Sequence, residues 1–415
     1  MRLYLINPSN PLVSIVNVKE SRWNRYRVWK PLNLMVLAGL TPPEWEISIV
    51  DENLGAPDYA AIPRPDLVGI TAFTSQANRA YEVATHFRRL GVPVVMGGIH
   101  ATMCLEEVME RVDSVVTGEA EGIWSQVLED AQDGELKRRY DGGLAEISDV
   151  PIARHDLLAT GYACGVIQTT RGCPLNCSFC SVTAFNGVHY RQRPIADVVR
   201  EFQLIREKHV LVVDDNLALA AKAGCSGVFI GFESPTPEGL VELGKKFNLL
   251  KGRDFCASVR RIQRHGMLVA GSFIIGLDID EPGIGKLIAE TASRYGVDNL
   301  NALFLTPLPG TRLWDQMKSE DRIALDAFPE DWKYYTLTFP VARYKNLSLE
   351  GIIGEMISCD RDFYSMQRIL RRVWSSLWQR RKPLISLVGN FSYRNNLRLN
   401  RKAYADLKSY VKTGV

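Results

Sequence analysis

Between Leu3 and Ala145, short and almost wholly apolar runs alternate with amphipathic stretches, and this alternation limits the fold more than any other feature of the chain. The segments are "LYLINP", "LNLMVLAGL", "EISIVDENLG", "LVGITAF", "RAYEVATHFRRLG", "VPVVMGG", "LEEVMERV" and "DSVVTGE". A strand that is apolar at nearly every position must be buried on both faces, which a parallel sheet covered by helices achieves. Residues 1–145 are therefore expected to form a doubly wound, Rossmann-like α/β domain. Ligands of such sheets bind beyond the carboxyl ends of the strands. That edge carries Asp51-Glu52-Asn53, Thr74-Ser75, Gly97-Gly98 with His100 close behind, and Gly118-Glu119. Any one of these reads as a turn on backbone grounds alone. Four on one edge read as a binding face.

Residues 146–165 show no clean period and are read as a linker. Strand and helix patterns then resume in "GVIQTT", "IADVVREFQLIREKH", "VLVVDDN", "LALAAKAGC", "GVFIGFES", "FCASVRRIQRHG", "MLVAGSFIIGLD", "IAETASRYG" and "NLNALFLTPLPG". Repeats of this kind over 166–320 predict a partial (β/α) barrel of the TIM type. A helical region, 321–415, completes the chain.

The formal charge of +3 is close to balance, so composition gives no reason to expect a nucleic-acid partner. The first residues, "MRLYLINPSN", lack the length and cleavage site of a secretory signal, and eight scattered cysteines do not make a disulfide framework. A reducing cytoplasm is the expected setting.

Three cysteines are not scattered. Cys173, Cys177 and Cys180 fall within eight positions, directly after the strand "GVIQTT". A C-x3-C-x2-C loop can wrap three thiolates around three corners of a [4Fe-4S] cluster, leaving one iron open to substrate. Other readings are a zinc site completed by Cys164 or His189, a redox pair of Cys177 and Cys180, and simple packing. Structural zinc normally shows two paired half-sites, and packing cysteines have no reason to crowd a polar loop.

At "CPLNCSFC" the chain resembles the radical S-adenosylmethionine enzymes, in the subgroup with an amino-terminal cobalamin-binding domain, over about residues 1–320. The resemblance implies that S-adenosylmethionine binds the open iron and that an electron splits it to a 5'-deoxyadenosyl radical, which abstracts hydrogen from unactivated carbon. It implies an electron donor such as a flavodoxin or ferredoxin. It also assigns Phe179, Asp214, Asp215, Asn216, Glu233, Ser234, Gly271 and Gly276 to S-adenosylmethionine. Cobalamin falls to Asp51, Glu52, Asn53, Thr74, Ser75, Gly97, Gly98, His100, Gly118 and Glu119. Cobalamin domains of the methionine synthase type carry D-x-H-x-x-G. Here "DENLG" puts Asn53 in place of the histidine and Gly55 one position early.

Two further features bear on function. Between Asp215 and Gly227 there is room for only a minimal crossover, one repeat short of the family pattern, which would slide the strand bearing Glu233 sideways by about 4.8 Å. From Met366 onward the chain is dense in Arg and Lys, with Trp374 and Trp378 four apart. This is either a helix that docks its tryptophans on the barrel or a contact for an anionic membrane surface. The resulting expectation is a cobalamin-dependent radical enzyme acting on a small, hydrophobic molecule, by methyl transfer. Oxidative cyclisation of a porphyrin-like or lipid-like substrate and a catalytically impaired cluster- or cobalamin-binding protein are the alternatives. Its place is cytoplasmic, with peripheral contact at the inner membrane face.

Overall fold

The computed structural model describes residues 1–10, 12, 29–55, 57–159, 161–162, 164–207, 210–213, 225, 227–245, 249, 254–378 and 383–413. Its first part is a six-stranded parallel sheet of β1 (Arg2–Asn7), β2 (Glu46–Asp51), β3 (Leu67–Thr71), β4 (Val94–Gly97), β5 (Ser114–Thr117) and β6 (Arg139–Asp141). The strand order is β2-β1-β3-β4-β5-β6. Alternate side chains of β1 enter different cores. Leu3 and Leu5 share theirs with residues of helices Leu32–Leu40 and Trp124–Asp133, whereas Tyr4 and Ile6 share theirs with residues of helix Ala77–Arg89. This is why β1 is apolar at four successive positions, all of them buried. The order reverses between β1 and β3, so their carboxyl ends, Asn7 and Thr71, flank the switch-point crevice.

The second part contains β7 (Gly165–Gln168), a short antiparallel hairpin of β8 (Thr170–Arg171) and β9 (Arg191–Gln192), and then β10 (Val210–Val213), β11 (Gly227–Glu233), β12 (Leu268–Ile275) and β13 (Asn299–Phe304). Among the described residues its five barrel strands are parallel but fall into two hydrogen-bonded groups, β10-β7 and β11-β12-β13. Among the described residues β10 and β11 do not pair. The short crossover, with Asp214, Asp215 and Asn216, lies outside the described residues. Helices Phe255–Arg264 and Ile284–Tyr295 cover the outer face, where Phe232, Phe255, Phe273 and Tyr295 form an aromatic cluster.

Helix Leu349–Phe363 packs on Ile284–Tyr295, and Met366–Trp378 pairs with Pro383–Thr413. One buried apolar cluster runs without interruption from Tyr4 and Phe87 through Phe232, Phe273 and Phe304 to Phe363, Ile369 and Leu407. No described helix is long and apolar enough to cross a membrane.

Helix Met366–Trp378 overturns the docked-tryptophan expectation. It buries Ile369 and Ser376 and leaves Trp374 67% and Trp378 81% exposed. Arg372 goes inward instead, donating to Asn390 Oδ1 at 2.7 Å and to the Phe363 carbonyl at 3.0 Å, with its guanidinium 4.0 Å above the Phe363 ring. Burial draws that guanidinium down to about 10.

Candidate functional site

The cysteine loop leaves β8 through Gly172, whose φ of +84° belongs to the left-handed region. A Cβ there would stand 2.0 Å from the His189 carbonyl oxygen, so the hairpin return requires glycine. Cys177 is buried and Cys173 and Cys180 are half-buried. Two contacts from the start of helix Arg312–Ser319 hold the loop: the Arg312 guanidinium donates to the Asn176 carbonyl, and the Leu313 amide donates to the Ser178 carbonyl at 3.0 Å.

The three thiols are electrostatic neighbours. Burial pushes the Cys177 thiol up, and Cys180, Cys173 and Glu233 add to the rise against the opposing charge of Lys245. Among the described residues no three His, Cys, Asp or Glu side chains surround a common metal position. The donor set still fits a three-thiolate cluster in chemistry, because soft sulfur ligands gather on one loop at a strand end.

Glu119, expected at the cobalamin edge, is engaged elsewhere. Its carboxylate, 3% exposed, accepts from Arg191 Nη1 and Nη2 at 2.9 and 2.5 Å, Arg171 Nη1 at 3.1 Å, Asn186 Nδ2 at 3.0 Å and the Ala145 amide at 2.9 Å. Burial alone would raise this carboxyl. The hydrogen bonds of Arg191 and Asn186 and the charge of Arg171 outweigh it and hold Glu119 at about 2. Arg171 also meets Glu121 at 2.5 Å. Since Arg171 immediately precedes Gly172, this cluster ties the cysteine loop to the carboxyl end of the first sheet.

The rest of that edge is mixed. Asp51 accepts from Asn7, Asn53 and the Tyr162 hydroxyl, the last at 2.7 Å. Asn53 therefore turns its amide back on Asp51, at 2.8 Å. Glu52 is 1% exposed and is claimed by Arg79, Tyr59 and the Ser9 amide. Thr74 is buried and Ser75 half-buried in the turn after β3. Gly97 ends β4, and Gly98, with φ of +90°, lies so near Thr71 that a Cβ would come within 2.8 Å of its Oγ1. Gly118 likewise runs against the Gly143 backbone.

His100 is neither a solvated turn residue nor a group presented at the edge. It is fully buried, 2.8 Å from the Tyr81 hydroxyl, beside Glu107 and edge-on to Trp332. Sequence reasoning passed over Phe73, which stands two residues past β3 with 68% of its surface open. An apolar ring left exposed at a ligand edge was the available signal.

On the barrel side, Glu233 sits at a register shift with φ of +67° and meets Lys245 at 3.0 Å. Its carboxylate folds back over Gly231, where a Cβ would stand 2.1 Å from Oε1. Glu233, Lys245 and Cys177 thus form one neighbourhood; Lys245 and Gly231 were not foreseen. Ser234 is buried against Thr236 and Gly239, and Phe179 packs on the main core.

Gly271 faces the aromatic cluster, with Phe232 3.0 Å from the position of a Cβ. The opposite face of β12, bearing Ala270, Ser272 and Ile274, is the one left toward the barrel interior. Gly276, with φ of +105°, underlies Tyr344 and donates to Asp280 Oδ2 at 2.8 Å.

Comparison with known proteins agrees with this geometry. Residues 24–128 match the B12 binding domain family. The chain is 27% identical to the bacteriochlorophyllide d C-8(2)-methyltransferase of Chlorobaculum tepidum, over 90% of this chain and 94% of that one. It is 20% identical to the anaerobic magnesium-protoporphyrin IX monomethyl ester cyclase of Rubrivivax gelatinosus, over 79% and 71% of the two chains. In structure it resembles the radical S-adenosylmethionine methyltransferase TsrM from Kitasatospora setae, solved with tryptophan and a S-adenosylmethionine analogue bound. The TM-score is 0.62 at 20% identity, covering 77% of this chain and 76% of that one. That likeness gives the fold: a doubly wound parallel sheet joined to a partial barrel of parallel strands. With the cysteine loop fastened to that sheet, the chain resembles the radical S-adenosylmethionine enzymes that carry an amino-terminal cobalamin-binding domain, and its first domain matches the B12 binding domain family.

Proposed function

We propose that this protein transfers a methyl group to an unactivated carbon of a hydrophobic small molecule. Cys173, Cys177 and Cys180 would hold a [4Fe-4S] cluster, the Glu233–Lys245 pair would meet the charged ends of S-adenosylmethionine, and the edge with Phe73, Gly97 and Gly98 would receive cobalamin. When bound, the cluster supplies the electron and cobalamin the methyl carrier for this chemistry. The chain's own part is placement. Glu119, Arg171 and Arg191 fix the cysteine loop against the first sheet, and Arg312 and Leu313 hold its far side. A carboxylate beside an ammonium can exchange partners with the two opposite charges of an amino-acid ligand.

The observation that carries the reading is the Glu119 cluster, which brings the thiols and the carboxyl edge of the B12-type sheet to one place. The test is anaerobic reconstitution with iron, sulfide and hydroxocobalamin, followed by a low-potential chemical reductant and S-adenosylmethionine labelled in its methyl group. Label arriving on cobalamin is expected, and label that never leaves S-adenosylmethionine with both cofactors loaded would refute methyl transfer. Oxidative cyclisation is favoured by the cyclase relatives, and product mass separates the two: a methyl gain against a loss of hydrogen for each ring bond closed. A flavodoxin or ferredoxin as donor and peripheral attachment at the inner face of a membrane belong to the same proposal.

A further inference from the structure

Helix Met366–Trp378 has an inner face that is accounted for and an outer face that is not. Ile369, Arg372 and Ser376 face inward, with Arg372 bonded to Asn390 and Phe363. Outward stand Leu370, Trp374, Leu377 and Trp378, at 59, 67, 56 and 81% exposure, and Leu384 of the next helix adds 73%. The spacing 370, 374, 377, 378 is one helical stripe, so a surface that should be polar is a continuous apolar band. Leu370, Trp374 and Leu377 also line an apolar cleft of about 440 Å3 that reaches Pro383 and is edged by Arg371.

Charge identifies the occupant. From Met366 to Val415 there are twelve Arg and Lys against a single acid, Asp406, a formal +11. The whole chain carries +3, so residues 1–365 carry −8. Such polarity keeps the acidic body of the enzyme away from an anionic surface while drawing its end toward one. An outward stripe with two tryptophans on a strongly basic segment is the composition that seats a helix at the headgroup level of a bilayer. A second copy of the chain would set +11 against +11, and a purely apolar protein partner would leave the basic excess unused.

We propose that the outer face of Met366–Trp378, with Leu384, is a docking surface for anionic lipid. Arg371 engages headgroups and Trp374 and Trp378 enter the interfacial layer. This deepens the peripheral placement proposed above and rests on it, but not on the reaction.

The test is cosedimentation of the full chain with phosphatidylglycerol vesicles and with phosphatidylcholine vesicles, across a salt series. Binding to the first, weakened by salt and reduced about tenfold or more in a Trp374→Ser/Trp378→Ser variant, is expected. Both tryptophans lie outside the core, so the variant should keep the parental circular dichroism. Arg371→Glu should weaken binding without touching the apolar stripe. Binding to neither vesicle, or equal binding by parent and double variant, overturns the proposal. So does a self-association that the double variant abolishes, which would give the face to a second copy. Hydroxocobalamin retention, read on the same samples, reports on the catalytic reading separately.

Discussion

Glu119 and Arg191 lie 72 residues apart in sequence and are joined by two hydrogen bonds, at 2.5 and 2.9 Å, inside a site that is closed to solvent. Arg171 completes the arrangement from the residue before the glycine that opens the cysteine loop. One carboxylate thus bridges two guanidinium groups at the root of the cysteine loop, and Glu121 adds a second negative charge on Arg171.

Glu119→Gln should therefore act on the loop more than on the first sheet. Removing the charge leaves Arg191 without its carboxylate partner, while Arg171 keeps Glu121, at a cost of about 3 kcal/mol. Denaturant melts should show that loss, and iron content after reconstitution should fall while hydroxocobalamin is still retained. Equal loss of both cofactors would mean that the residue serves the whole fold.

Two carboxyls give pH dependences of opposite sign. Glu119 is held at about 2, below its ordinary 4.5, so its stabilisation is complete above pH 4.5 and disappears as pH falls toward 2. Asp280 is pushed up to about 6 from 3.8, chiefly by burial, which outweighs the opposing hydrogen bonds it accepts from the Gly276 and Leu277 amides. Its contribution is complete below 3.8 and is lost as pH rises through 6, on the order of 3 kcal/mol. Melting temperature followed across this range should show both slopes, and Asp280→Asn should flatten the upper one alone.

Gly172→Ala should be among the most damaging single changes. The added carbon meets the His189 carbonyl at 2.0 Å at a φ that alanine resists, for a cost of about 2 kcal/mol or more. Iron incorporation should be lost even where the circular dichroism is intact. Gly122→Ala, which meets nothing within 4 Å, is the matched control.

Glu233→Gln and Lys245→Met test the proposed S-adenosylmethionine contact. Each should weaken binding of that ligand about tenfold, roughly the loss of one charge-assisted hydrogen bond. Equilibrium dialysis with the reconstituted protein measures it. Unchanged affinity in both variants would make the pair a structural ion bridge.

Local patterns carried much of the fold. The strands of the first sheet were readable because both of their faces are apolar, as the separate cores of Leu3 and Tyr4 show. The same property hid orientation: on a strand buried on both sides nothing in the sequence says that Gly271 faces Phe232 and Ser272 the opposite way. The cysteines were legible because a loop keeps them adjacent. Glu119, Arg171 and Arg191 were not legible as a unit, since their pairing depends on how the hairpin β8-β9 returns to the first sheet. For the tail, helical spacing put Trp374 and Trp378 on one face but could not say whether that face would point inward. That depended on Arg372 finding Asn390 and the Phe363 ring.

The unbroken apolar interior linking Tyr4, Phe232 and Leu407 has a mechanical meaning. A carrier that collects its cargo at one station and delivers it at another often swings on a hinge, but a hinge needs a seam, and this chain has filled the place where one would be. The two stations would have to be built within reach of each other from the outset, and the traveller that adjusts its position would be the guest molecule.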